Sequence, residues 1–236
     1  MLKALKTLNE ILNNIDDTAK KKLVGNHLDA FYWKIYITDY HIEESVKVFN
    51  HHEGISPEEE YIEIVKDIFN YHSKSPNGLN YRIAVFKSEA NLIAAAQSMH
   101  SLADICAHII YRSLNDLQNT IPEKNIGIKS LIRELKKKSK YDKIVLAIKG
   151  LTDSNEFKYL EGYVNTAKHK SLIPTTHTVS FAHKEIVEQY LSINEFEYDG
   201  IIFTKLKSSE LSNLYFNNLK NQYKEIFNAL CGLLIE

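Results

Sequence analysis

The stretch "NLIAAAQSMHSLADICAHIIYRSLND" limits what this chain can fold into more than any other. From Ala90 to Leu114 it holds no Lys and no Glu, the residues that normally occupy the water-facing side of a helix. Its polar residues are Gln97, His100, Ser101, Asp104, His108 and Arg112. At 100° per residue they all fall within a wedge of about 120°, joined by Tyr111 and Asn115. The remaining arc carries Leu92, Met99, Leu102, Cys106, Ile109, Ile110 and Leu114. A helix of this kind needs apolar neighbours around most of its circumference. The expected setting is the centre of a helical bundle, with the wedge turned to the interior or to a cleft. Three readings of the wedge stay open: a semi-exposed face, a buried polar network that fixes helix register, or a cleft lined by binding and catalytic groups.

The rest of the chain fits a bundle. Gly (8) and Pro (4) are scarce, so turns are few and elements long. Residues 2 to about 22 place Leu2, Leu5, Leu8, Ile11, Leu12 and Ile15 at helical spacing, and a second helix is expected from about 26 to 52. The third starts at Pro57 behind Ser56, with Glu59 completing a capping box, and ends near His72. The long fourth helix is expected over about 80 to 118, before Ile121-Pro122. "IKSLIRELKKKSKYDKIVLAIKG" gives one or two more, and Asp153 or Ser154 caps a helix reaching about His169. Residues 172 to 206 turn β-branched and aromatic, with Asp199-Gly200 as a turn signal, and predict a small β element. A last amphipathic helix is expected from about 209 to 234. With no internal repeat and no long linker, residues 1–236 read as a single, mainly helical domain.

Hydrophobic residues make up 44% and charged residues 25%, enough for a sizeable core, and the net charge of -1 supplies no global pull toward nucleic acid. No run approaches the ~18 apolar residues of a membrane span, so no membrane partner and a cytoplasmic location are expected. Cys106 and Cys231 sit among apolar residues and read as buried thiols. The aromatic run "DAFYWKIY", with Trp33, reads as core packing.

Chemistry is expected at two places. His100, Asp104 and His108 are spaced i, i+4, i+8, but the rise from first to last is about 12 Å and a zinc bond spans only roughly 2 Å. One ion cannot take all three. A neighbouring pair could bind one with other ligands from elsewhere, His169 being a candidate, but no Cys pair, HExxH or His-Asp dipeptide supports this, and no metal is expected. The second place is "EGYVNTAKHKSL", where Glu161, Asn165 and His169 share a helix face beside Lys168. Cations at a helix C-terminus are stabilised by up to ~1 kcal/mol, which explains Lys168 and His169 without function. Asn165, a mediocre helix former, gains nothing from that effect and suggests a ligand or an oriented histidine.

The pairing of "AAAQSMHSLADICAHIIY" with "GYVNTAKHKSLI" resembles a group of bacterial helical proteins that carry a Gln-x-x-His-Ser-x-x-Asp helix and a later Asn-x-x-Lys-His-Arg/Lys-x-Leu segment. The likeness covers roughly residues 80 to 205. More distantly the chain is similar to HEPN domains, helical bundles of RNA-cleaving toxins and of non-catalytic nucleotide-binding modules. Catalytic HEPN domains place an Arg four to six residues before a His. That spacing does not occur before His169, so Arg112 would have to reach a histidine in space.

Two functions follow as expectations. The first is a metal-independent ribonuclease or nucleotide hydrolase. His169 is its acid or base, with Asp104 orienting a histidine such as His108, and Arg112 and Lys168 neutralising phosphate. Asn165, Gln97 and His100 hold the ligand. The second is a non-catalytic interaction or structural module with a polar network. RNA or a nucleotide is the expected partner, a homodimer is allowed, and the absence of a Gly-rich phosphate loop or nucleophile elbow leaves no cofactor expected.

Overall fold

Asp17 decides where the first long helix begins. In the computed structural model, which describes residues 10–47, 57–70, 76–182 and 185–235, helix α1 runs Thr18–Lys47. The Asp17 carboxylate accepts the backbone N–H of Lys20 at 2.8 Å, satisfying one of the orphan donors of the first turn. Residues 10–13 form a separate helical turn, and Asn14 folds its amide back onto the Glu10 carbonyl at 2.8 Å. The expected boundary between residues 22 and 26 is therefore corrected: the break lies at 14–17, where two such capping groups stand. Gly25 continues the helix, with Leu12 Cδ2 4.0 Å from where a Cβ would be.

Helix α2 runs Pro57–Asn70 and α3 Pro76–Ser113. Pro57 opens its helix as expected; Ser56, His72 and the expected helical residues 2–9 and 48–52 lie outside the described residues. α3 starts earlier than expected because proline, with no N–H to lose, is tolerated in a first turn. It also stops earlier. Leu114 turns extended (φ -100°, ψ 112°) and Asn115–Leu117 forms a 3-10 turn. The bend allows Leu114, Leu117 and Ile121 all to be buried, at 5%, 1% and 4% exposure. The Tyr111 hydroxyl pins it by donating to the Ile121 carbonyl at 3.1 Å.

Helices α4 (Ile128–Leu135), α5 (Asp142–Thr152) and α6 (Asn155–His169) follow. Ser154 is the cap of α6: its hydroxyl accepts the Phe157 N–H at 3.1 Å. Strands β1 (Thr175–Ala182) and β2 (Glu185–Ile193) pair antiparallel, with a register shift between Ser180 and Phe181. β3 (Phe196–Tyr198) and β4 (Ile201–Phe203) form a hairpin, and β5 (Leu206–Lys207) pairs antiparallel with β2. Asp199 and Gly200 take φ values of 51° and 76°, the left-handed pair a tight hairpin turn demands. α7 (Ser208–Glu210) leads through a π-helical turn, Leu211–Tyr215, into α8 (Phe216–Ile235). The fold is mainly helical with a small β element, and the strands of the described residues lie in the region the sequence marks.

The contacts gather into two compact units. One comprises Met1–Tyr36, Ser98–Glu161 and Tyr215–Glu236; the other comprises Ile37–Gln97 and Gly162–Leu214. In the first, α3 buries Met99, Leu102, Cys106, Ile109 and Ile110, while Phe31 presents its ring edge-on to Tyr223 and Phe227, centroids 5.3 and 5.0 Å away. Cys231 is buried in the same unit, as expected of it and of Cys106. Trp33 is not core, which corrects the expectation. Two positions are about 200° apart on a helix. With Phe31 inward at 3% exposure, Trp33 is left outward at 67%.

In the second unit Gly162 allows the close approach of α6 to the hairpin. A Cβ there would lie 2.9 Å from Phe203 Cε2 and 3.3 Å from Phe196 Cε2, and those rings stack at 5.0 Å. Gly162→Ala is expected to destabilise the protein by about 1–3 kcal/mol, because two packed rings must move to admit one methyl. Urea unfolding measures this. A variant of unchanged or raised stability would show that the rings give way freely.

A candidate histidine–arginine site

On α3, His108 and Arg112 stand one turn apart and so share a face. On α1, His27 lies against them in the same unit. Its ring stacks on that of His108, centroids 5.0 Å apart and planes 22° from parallel. Arg112 forms an ion pair with Glu123, which the loop after α3 delivers beside it. Two buried polar atoms of this group, His108 Nδ1 and Arg112 Nε, have no hydrogen-bond partner among the described residues. Buried groups of this kind are normally satisfied, so each of the two has hydrogen-bonding capacity left for a water or a ligand.

The electrostatics favour neutral rings. Burial lowers the pKa of His27, and the neighbouring His108 and Arg112 lower it further. For His108, burial again leads, followed by Arg112; Asp104 and Glu123 act in the opposite direction. A neutral imidazole beside a fixed guanidinium can accept a proton while the guanidinium holds an anion. Tyr111, Arg112, Asn119, Ile121, Pro122 and Glu123 line a cleft of about 250 Å³. Neither His27 nor His108 lines it, and it is smaller than the ~300–1,000 Å³ of ordinary small-molecule pockets, so it has room for one small group beside Arg112 rather than a whole nucleotide.

The expectation is a wedge that faces the interior or a cleft; as a whole it does not face the interior, while Tyr111 and Arg112 line the cleft. Asp104 is exposed, and Gln97, His100, Ser101, His108 and Arg112 are half-buried. The apolar arc satisfies the helix's need for burial and leaves the polar stripe at the boundary with water. Asp104 stands at the start of α4, with Oδ1 3.1 Å from where a Gly127 Cβ would be; a carboxylate is favoured at a helix N-terminus. His100 stacks on Phe157 at 5.9 Å. Gln97 belongs to the other unit.

The other unit also carries the second group. Asn165 donates to the Tyr198 hydroxyl at 3.2 Å and so ties α6 to the β3–β4 hairpin. Lys168 and His169 are exposed in the last turn of α6. His177 on β1 shares a hydrogen bond with the Tyr81 hydroxyl, and burial pushes its pKa down to about 4. Sequence reasoning singled out neither His27, Glu123 nor His177. Each lies on a different element from its partners, and no spacing along the chain announces such a meeting. Among the described residues, no group of three or more His, Cys, Asp or Glu is placed to hold a metal ion, and no helix is long and apolar enough to cross a membrane.

Each of these histidines is less basic in the folded chain than when unfolded, where the value is near 6.5. Below that pH the unfolded chain binds more protons, so stability must fall as the solution is acidified from pH 7 toward pH 4. For His177 burial alone holds the value down, to about 4. His177→Gln is expected to flatten the dependence of urea-unfolding free energy on pH between 6.5 and 4. An unchanged slope would remove burial of His177 as its source.

Comparison of the chain with protein-family models, with curated proteins and with solved structures gave no match.

Proposed function

We propose that the His27, His108 and Arg112 group acts on a phosphate of RNA or of a nucleotide, as a cytoplasmic, metal-independent hydrolase or ribonuclease. The observation that carries this is the pair of stacked, neutral-leaning imidazoles beside a guanidinium, with His108 Nδ1 and Arg112 Nε still lacking partners. The guanidinium neutralises the phosphate oxygens, exchanging Glu123 for the ligand. One imidazole removes the proton from the attacking 2′-hydroxyl. The 2′-oxygen bonds to phosphorus, and the 5′-oxygen leaves with the proton that the imidazole has just removed from the 2′-hydroxyl. A 2′,3′-cyclic phosphate and a 5′-hydroxyl end result. The distant likeness to HEPN domains supports RNA as the polymer, although here the histidine precedes the arginine by one turn instead of following it.

A second reading, a non-catalytic binding module, draws on the ion pair already made by Arg112 and on the position of Asp104 at the start of α4. One assay separates the two. The whole chain is incubated with a single-stranded RNA oligonucleotide, and separately with nucleoside triphosphates, in the presence of a chelator. Cleavage is expected, with His108→Ala and Arg112→Ala each lowering turnover by about 10²-fold or more while the melting temperature holds. RNA binding without cleavage assigns the module reading, and neither binding nor cleavage defeats both. His169→Ala in the same assay decides whether His169 belongs to the chemistry, as the sequence expectation has it.

A further inference from the structure

A second cavity, of about 660 Å³, lies in the same unit and uses none of the histidine–arginine group. Its walls come from the turn before α1, the first turn of α1, the end of α3, the turn before α5 and the end of α8. Its volume is that of an ordinary small-molecule site.

Lys20 is the group in it that calls for a ligand. Its ammonium is half-buried and donates to the Ser113 carbonyl at 2.8 Å and to Asn115 Oδ1 at 2.5 Å. Both acceptors are neutral. Among the described residues, no carboxylate stands within ion-pair distance of it, and Asp17 uses its Oδ1 to cap α1. An ammonium has three donors, so one remains. A partly desolvated cation held by neutral oxygens is costly unless an anion completes it. Burial accordingly lowers the pKa of Lys20, with Asp17 only partly opposing.

Ser113 is the independent second observation. It lines the same cavity, is 2% exposed, and its hydroxyl has no partner among the described residues. Lys140 supplies another ammonium, anchored at 2.7 Å on Asp116, the residue after the one that holds Lys20. Asp116 does not compete for the ligand. Burial works to raise its pKa, but hydrogen bonds from Lys138, Lys140 and Tyr141 outweigh this and hold it well below the usual carboxylate range. At the rim, the exposed Asp16 and Asn14 can accept from hydroxyl groups, while Ile15, Leu233 and Leu234 give an apolar wall.

We infer that this cavity binds a phosphate monoester on a hydroxylated carrier, of the size of a sugar phosphate or nucleoside monophosphate. The phosphate takes the free donor of Lys20, the Ser113 hydroxyl and the Lys140 ammonium. The carrier's hydroxyls face Asp16 and Asn14.

The test is calorimetric titration of the whole chain with ribose 5-phosphate, inorganic phosphate, ribose and adenosine 5′-monophosphate. Ribose 5-phosphate is expected to saturate one site, at least tenfold more tightly than inorganic phosphate, and ribose alone to give no saturable heat. Lys20→Met should weaken binding at least tenfold and Ser113→Ala several-fold. Ser113→Ala carries the test if Lys20→Met does not fold, since it removes a hydroxyl that bonds nothing. Failure of all phosphates to saturate, or equal binding by both variants, overturns the site. Equal affinity for ribose 5-phosphate and inorganic phosphate overturns the carrier and leaves an anion site only.

Discussion

Between Ser98 and Ser113, helix α3 turns Met99, Leu102, Cys106, Ile109 and Ile110 away from water completely. Each such side chain contributes roughly 1.5–3 kcal/mol when buried, and the surrounding elements are arranged to supply that burial. Val24, Leu28 and Phe31 of α1 and Leu219, Tyr223 and Phe227 of α8 belong to the same core. Because most of the circumference of α3 is spoken for, its polar residues can only emerge along one seam. The half-buried state of His108 and Arg112 follows from this. They sit on the edge of a dry core, where an imidazole loses enough water to stay neutral and an arginine still reaches a carboxylate.

Much of the architecture was legible because it depends on local rules. Caps and turn residues act within four positions, so Pro57, Ser154, His169 and the Asp199-Gly200 hairpin could be placed from sequence. Where local signals competed, the reading failed. A boundary was expected between residues 22 and 26, but Asp17 caps a helix that runs straight through them. The end of α3 was set by burial of Leu117 and Ile121 beyond it, which no helical periodicity encodes. Trp33 went outward because its neighbour two positions back had taken the core face.

The candidate site was legible only in half. His108 and Arg112 share a helix and could be paired by counting. His27 reaches them from α1, and Glu123 from a loop whose path is fixed by the Tyr111 hydroxyl. Lys20 is harder still. One lysine among many in a Lys-rich chain has no signature, and what distinguishes it is the neutrality of its partners. Charge in this unit is sorted by that criterion: Asp116 collects Lys138 and Lys140, whereas Lys20 collects a carbonyl and an amide.

The core formed by Phe31, Tyr223 and Phe227 joins positions that lie far apart in the sequence. During synthesis the ribosome must therefore make the long stretch between α1 and α8 before this aromatic cluster can close. Until α8 emerges, Phe31 lacks the two rings that pack against it, and the nascent chain carries an exposed greasy surface. Contacts so distant in sequence also slow the search for the native state, since a long loop must close before they reward it. A core that closes over so long a separation leaves apolar surface in the open while α8 is still being made, the condition under which partly made chains associate wrongly.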